Sequence, residues 1–268
     1  MKAVVLARGL GTRMKADSDD AVLRSDQAAV ARTGMKALVP LEGRPFLDYV
    51  LASLADAGCS EIGVVIGPEH DVIRDRYTRV VPPRRFRIRF VIQEQPRGTA
   101  DAVLAAERFA AGEEFLMINS DNRYPTKALR ALVELGRPGT VLFTPEGLAA
   151  HSNIEPDSIK GFAVGKVGAD GGLDALIEKP DTAAMAALGP HRLVSMNCWR
   201  FPPAVFGACR GLSLSPRGEY EITDAVAALI ASGHRLRVLT SEEGVLDLSK
   251  RSDIPAVLSR LRGEVVLL

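Results

Sequence analysis

Four short apolar runs, each bounded by turn residues, set the strongest limit on what this chain can fold into: AVVLA (3–7), IGVVIG (62–67), FLMIN (115–119) and TVLFT (140–144). Runs of this length without polar alternation fit strands buried on both faces. Helical patterns separate them. Phe46, Val50, Leu54 and Ala57 recur at helical spacing and form one apolar stripe, which Gly58 closes. TADAVLAAERFA (99–110) is rich in helix-forming alanine and begins with Thr99 as its expected cap. Such alternation predicts an α/β fold: a Rossmann-like, mixed, mainly parallel sheet with helices on both faces, in a single domain over residues 1–268.

Beyond about residue 150 the pattern loosens. GFAVGKV (161–167), LDALIEK (173–179) and VSMNCWRF (194–201) read as extended strands between glycine- and proline-containing turns. EITDAVAALIASG (221–233) and SDIPAVLSRL (252–261) read as helices. No linker, internal repeat or low-complexity tract interrupts the chain.

A net charge of +1 argues against a general nucleic-acid surface. The basic run RRFRIR (84–89) does not change this. Arg85, Arg87 and Arg89 alternate with Phe86, Ile88 and Phe90, which describes one solvated strand face. Cys59, Cys198 and Cys209 are odd in number and far apart, and the four histidines form no HxH or HExxH pattern, so neither a disulfide framework nor a zinc site is expected. The apolar run after Met1 is too short for a signal peptide, and no segment approaches the roughly 18 apolar residues of a membrane span. A reduced, cytoplasmic protein without a membrane partner is the expectation.

The first strand runs into VVLARGLGTRMK (4–15), where two glycines precede Thr12 and Arg13. Closely spaced glycines bring backbone N–H groups near a phosphate, and a following arginine fixes a positive charge there. Two familiar phosphate loops fail. The dinucleotide fingerprint needs a third glycine where Met14 stands, and no G-x-x-x-x-G-K-[ST] string occurs.

Further segments follow in order: GMKALVPLEGRPFLDYVL (34–51), QEQPRGTADA (93–102), NSDN (119–122), IEKP (177–180) and GVLDL (244–248). With the glycine loop, this series resembles the sugar-phosphate nucleotidylyltransferases (sugar-nucleotide pyrophosphorylases, including the hexose-1-phosphate uridylyl- and thymidylyltransferases) from residue 3 to about 262. The resemblance implies the nucleotide-diphospho-sugar transferase type of fold, with a nucleotide-binding half over 1–145 and a sugar-binding half with C-terminal helices over 146–268. It also implies the reaction: a nucleoside triphosphate and a sugar 1-phosphate give an NDP-sugar and pyrophosphate, with Mg²⁺ as cofactor. The nucleophile is a phosphate oxygen already ionised at neutral pH, its second pKa being about 6, so the site needs charge neutralisation and alignment more than a strong base.

Carried onto this sequence, the resemblance assigns Arg13, Lys36 and Asp121 to catalysis. Arg13 would grip the triphosphate and Lys36 would neutralise charge between the reacting phosphates. Leu6, Ala7, Arg8, Gly9, Gly11, Thr12, Arg13, Gln93, Gly98 and Thr99 would bind the nucleotide. Gln93 carries both a donor and an acceptor, which suits the imide edge of uracil or thymine and favours UTP or dTTP. Asp121, at the carboxyl end of a strand, and Asp247 would hold the metal. Gly161, Glu178, Lys179, Asn197 and Asp224 would receive the sugar phosphate; Asp224 also competes with Asp247 for the metal, or simply begins a helix. Glu178 and Lys179 cannot both enter one pocket from regular β structure, so Pro180 is expected to end the strand irregularly. Trp199 and Phe201 are expected in the core.

Four features depart from the family pattern. Arg8 stands where a small residue is usual, Met35 replaces a proline, and DLSK replaces Asp-x-Gly-Thr. The Arg13–Lys36 interval is long, which suggests that 16–34 folds over the acceptor as a lid. Two other functions remain open from the residues: the same fold acting on a non-sugar acceptor such as phosphocholine with CTP, and a non-catalytic nucleotide- or sugar-binding regulator. The sequence is also compatible with a homo-oligomer.

Overall fold

The computed structural model describes residues 1–16, 22–181, 183–184, 188 and 192–268. In chain order the strands are β1 (Lys2–Leu6), β2 (Pro40–Leu41), β3 (Arg44–Pro45), β4 (Glu61–Ile66), β5 (Arg87–Ile92), β6 (Phe115–Asn119) and β7 (Asn122–Arg123). They continue as β8 (Gly139–Phe143), β9 (Ala163–Val167), β10 (Leu173–Ile177), β11 (Arg192–Phe201), β12 (Arg237–Ser241) and β13 (Leu246–Asp247). Nine of them form one sheet, ordered β10-β9-β11-β6-β1-β4-β5, with β8 and β12 added beside β11.

The four apolar runs become β1, β4, β6 and β8, each within a residue of its expected bounds. β1 lies between β4 and β6 and pairs with both in parallel, and β4 pairs in parallel with β5. Strand periodicity then divides the core. Ala3, Val5, Leu116 and Ile118 join the cluster under the helix Phe46–Asp56, whereas Val4, Phe115 and Met117 join the cluster with Val103, Trp199 and Val226. This is the three-layer arrangement that strands apolar on both faces require. Trp199 and Phe201 are fully buried and stack at 5.4 Å, in the core as expected. Arg87 and Arg89 face solvent from edge strand β5.

β11 ties the two halves of the chain into one sheet. It pairs antiparallel with β9, β8 and β6, and its register against β8 slips between Ser195 and Cys198. Asn197, at φ +57, occupies that slip.

Two local expectations are corrected. The 99–110 helix breaks at Ala106 into Thr99–Ala105 and Glu107–Ala110, and Thr99 does not cap it. Its hydroxyl instead accepts the main-chain N–H of Ile222 at 2.9 Å. The 16–34 segment, expected to be a lid, is helical over much of its described part. Residues Ser25–Thr33 form a helix that buries Gln27 and Ala31, and Gln27 Nε2 donates to the Pro40 carbonyl at 2.9 Å; residues 17–21 lie outside the described residues. No helix among the described residues is long and apolar enough to cross a membrane.

Candidate active site

Loops from the carboxyl ends of β1, β4, β5 and β6 surround a cleft of about 400 Å³. Open parallel sheets place ligands there, because helix N-termini and free main-chain groups converge at that edge. Leu6, Ala7, Arg8, Gly9, Gly11, Thr12, Arg13, Lys36, Gln93, Gly98, Thr99 and Asp121 all line it.

The glycine loop is shaped by Gly11, at φ +60. A Cβ there would lie 2.1 Å from the Gly34 carbonyl oxygen, so only glycine lets the two segments meet. The turn Thr12–Lys15 is fastened from below by Arg251, which donates to the carbonyls of Met14 at 2.9 Å and Lys15 at 3.0 Å. Met14, which broke the dinucleotide pattern, is fully buried, whereas Thr12 and Arg13 remain exposed to the cleft.

Gly34 also delivers Lys36, whose N–H donates to the Gly34 carbonyl as a 3₁₀ turn begins. Lys36 Nζ stands 2.8 Å from Asp121 Oδ2. The Thr126–Glu134 helix has no side-chain cap, so Asp121 is not held as a helix cap. The β13–β7 pairing sets Asp247 opposite Asn122 and so beside Asp121, and Leu248 N–H donates to the Asp121 carbonyl at 2.8 Å. Asn153 grips both main-chain groups of Asp247, donating to its carbonyl at 2.7 Å and accepting its N–H at 2.8 Å.

Asp247 is buried, and its carboxyl is pushed up to about 7. Burial is the main cause and the neighbouring Asp121 charge the next, while the Ser249 hydroxyl, which donates to Oδ1 at 2.5 Å, and Lys36 oppose the shift. Ser249 Oγ also receives Arg13 Nη2 at 3.3 Å. One polar chain therefore runs Arg13–Ser249–Asp247 and meets Lys36–Asp121. Lys36 pairs with Asp121 while Asp247 accepts from a hydroxyl, and such a carboxylate pair suits a hard divalent cation bound through oxygen. Among the described residues no group of three metal-ligating side chains forms, so phosphate and water oxygens would complete any coordination shell. Asp224 is not part of this group: it lies exposed in the first turn of the Ile222–Ala231 helix and acts electrostatically on Glu178.

At the nucleoside end, Gln93 Nε2 donates to the Gly98 carbonyl at 3.2 Å and to Asp101 Oδ2 at 2.8 Å. Both partners are acceptors, so the amide orientation is fixed and its Oε1 is left for the cleft. The expected donor-and-acceptor reading of Gln93 thus becomes acceptor alone. Gly98, at φ +112, is required by the chain rather than by a ligand alone: a Cβ would meet the Tyr220 carbonyl oxygen at 2.5 Å. Tyr220 N–H donates to the Arg97 carbonyl at 2.8 Å, and Ala100 N–H donates to the Tyr220 carbonyl at 2.9 Å. These bonds fasten QEQPRGTADA to the SPRGEYEIT loop (215–223).

That loop carries Arg217, which the sequence reading missed. Arg217 lines the cleft and stands 3.6 Å from Glu178, 3.7 Å from Glu219 and 3.5 Å from Glu221. Burial, then the Glu221 charge, raises the Glu178 carboxyl, against Arg217 and Lys179. β10 ends at Ile177 and Lys179 takes φ +43, the irregular exit expected before Pro180. Gly161, Glu178, Lys179, Asn197, Asp224 and Asp247 are not among the cleft-lining residues. Gly161 ends an exposed 3₁₀ turn, and Asn197 Oδ1 accepts Trp199 Nε1–H at 3.3 Å.

A glycine loop with Arg8, Arg13 and Lys36 beside it, at the carboxyl edge of a parallel sheet, has the make-up of a phosphate-binding site. Similarity to known proteins narrows that class. The chain belongs to the nucleotidyl transferase family, which matches residues 2–253. It is 30% identical over 254 residues to a low-salt glycan biosynthesis nucleotidyltransferase of Haloferax volcanii, covering 95% of this chain and 64% of that protein. It is 28% identical over 267 residues to a UTP–glucose-1-phosphate uridylyltransferase of the same organism, covering 98% of each. A glucose-1-phosphate thymidylyltransferase of Streptomyces antibioticus is 30% identical over 90% of this chain and 61% of its own. The chain thus spans less than two thirds of two of these relatives. The fold is shared with a solved UDP-glucose pyrophosphorylase complexed with UDP-glucose, at TM-score 0.76 and 16% identity over 98% of this chain and 99% of that one.

Proposed function

We propose that this protein transfers a uridylyl or deoxythymidylyl group from UTP or dTTP to the phosphate of a sugar 1-phosphate, releasing pyrophosphate. The meeting of Lys36, Asp121 and Asp247 beside the glycine loop carries this reading, because attack on an α-phosphorus needs cations and aligned oxygens there. Arg13 and the loop N–H groups hold the triphosphate. Lys36 screens the approach of the two phosphates. Asp121 and Asp247 hold Mg²⁺, which when bound supplies charge neutralisation at the triphosphate oxygens. Arg217 and Lys179 receive the acceptor phosphate, and Glu178 accepts from sugar hydroxyls. The names of the uridylyl- and thymidylyltransferase relatives support the substrate class.

Gln93 favours an imide base. Its free Oε1 accepts a ring N–H, which uracil and thymine offer and cytosine does not. The buried Cys59, Cys198 and Cys209 thiols, all raised by burial, suit a reduced cytoplasmic setting.

The test is pyrophosphate release across UTP, dTTP, CTP, GTP and ATP, each paired with a panel of phosphorylated sugars and alcohols. Release confined to UTP or dTTP with sugar 1-phosphates supports the proposal. Tight nucleotide binding without release in any pairing would sink it in favour of a regulator.

A further inference from the structure

Arg8 stands in the cleft without a task in the chemistry above. Its side chain is only 7% exposed. Nη1 donates to the main-chain carbonyl of Gln93, and Nη2 lies 3.3 Å from both carboxylate oxygens of Glu69. Gly67 makes room for it, since a Cβ there would fall 2.5 Å from Arg8 Nε. The guanidinium is therefore fixed among the segments that follow β4 and β5. Its recorded partners do not include Arg13, Ser249 or Asp121, which gather at the phosphate end.

A guanidinium carries five N–H donors and no acceptor. In Arg8 the buried Nε–H has no partner. Polar groups buried in this way are normally satisfied, so the protein alone does not complete this site. The surroundings are not anionic enough to explain the arginine as a structural ion pair: Glu69 is 55% exposed, and water screens such a pair. Next to Glu69, burial lowers His70, so its ring is neutral near pH 7. Gly67 N–H donates to His70 Nδ1 at 3.3 Å, which puts the ring proton on Nε2.

We infer that Arg8 is a specificity-determining residue for the nucleoside moiety of the nucleotide, donating to a neutral oxygen of the base or ribose beside Gln93. The inference rests on the proposed function. Gln93 supplies an acceptor at this end of the cleft, and Arg8 supplies the complementary donor. An imide base carries both types of group, with carbonyl oxygens flanking its ring N–H. Ordered anchors on Nη1 and Nη2 hold the donor in place before the nucleotide arrives, which reduces the ordering needed on binding.

Titration calorimetry of the full chain with UMP, UTP and inorganic tripolyphosphate tests this. Arg8→Ala should weaken UMP and UTP by the same factor, roughly 10- to 100-fold for a charge-assisted hydrogen bond, and leave tripolyphosphate binding unchanged. Its KM for the sugar 1-phosphate should not move. Arg13→Ala should show the reverse pattern, with tripolyphosphate most affected. A loss confined to UTP and tripolyphosphate would make Arg8 a phosphate clamp and overturn the inference, as would unchanged binding of all three. Should Arg8→Ala fail to fold, Glu69→Gln decides the matter by loosening the anchor while keeping the arginine. It should weaken UMP by a smaller factor and spare tripolyphosphate, and wild-type UMP affinity in that variant counts against the inference. Wild-type protein that binds no nucleotide would bring down the proposed function as well, whereas an active wild type with an indifferent Arg8 brings down this inference alone.

Discussion

Replacing Asp247 by asparagine should abolish turnover and yet stabilise the unliganded protein. The side chain is buried at 8% exposure, its carboxyl is pushed up to about 7, and after burial the like-charged Asp121 is the largest cause. A folded-state pKa above the unfolded value means that the native protein binds the proton more tightly. Stability from this group is then full below about pH 4 and is lost as the pH rises through about 7. The rise from 3.8 to about 7 corresponds to a loss of at most about 4 kcal/mol by pH 8. Asparagine has no proton to lose, and its Oδ1 still accepts the Ser249 hydroxyl. Urea unfolding in the presence of a chelator should therefore show wild type and Asp247→Asn together only at or below about pH 4, with the gap widening as the pH rises towards 7. They should separate at pH 8, with the variant the more stable. Adding Mg²⁺ at pH 8 should raise the wild-type midpoint and leave the variant nearly unmoved, because only the carboxylate pair gains a cation. A variant equal to or weaker than wild type at pH 8 without metal would show that Asp247 is not a strained buried anion. The charge argument for a metal site would then fall with it.

Three further outcomes follow from the geometry. Gly11→Ala forces a Cβ against the Gly34 carbonyl in a left-handed turn, so thermal unfolding should show a loss of about 2 kcal/mol or more, together with loss of activity. Arg217→Ala should raise KM for the sugar 1-phosphate about tenfold or more while leaving UTP binding within a few-fold, and steady-state kinetics with each substrate varied separately separates the two. Gln93→Leu removes the base acceptor and the bond to Asp101; the ratio of kcat/KM for UTP over CTP should fall about tenfold or more, and an unchanged ratio would refute the base-reading role.

The residues proposed to handle phosphate were legible because that chemistry demands a few residue types at the ends of strands. Arg13, Lys36 and Asp121 each follow a recognisable strand or glycine turn, and the cleft joins them. The short strand of Asp247 was harder to see, since two residues carry no periodicity; its position depends on pairing with Asn122 across 125 residues of chain. Ser249 looked like a departure from the family. Its hydroxyl nevertheless links Arg13 to Asp247, a contact that exists only once the first and last segments pack. Arg217 lay in a turn rich in glutamates, where a solvated salt-bridge cluster is the ordinary reading; the signal available was its place just before EYEIT, which Gly98 draws against the cleft. Thr99 sat at a helix start, as a cap does, but a tertiary partner, the Ile222 N–H, outcompeted the local one.

Asn153 holds the Asp247 main chain by both its N–H and its carbonyl, across 94 residues of the same 146–268 half of the chain. Its side chain works as a splint across two separately encoded segments. An engineer who exchanges the half expected to bind the sugar for that of a relative carries splint and carboxylate together when the cut precedes residue 153 and separates them when it follows. Hybrids that keep an asparagine there should inherit a correctly set carboxylate, whereas hybrids that lose it should bind their new acceptor and still turn over slowly. The seam of a working chimera is set by one amide as much as by the border between the two halves.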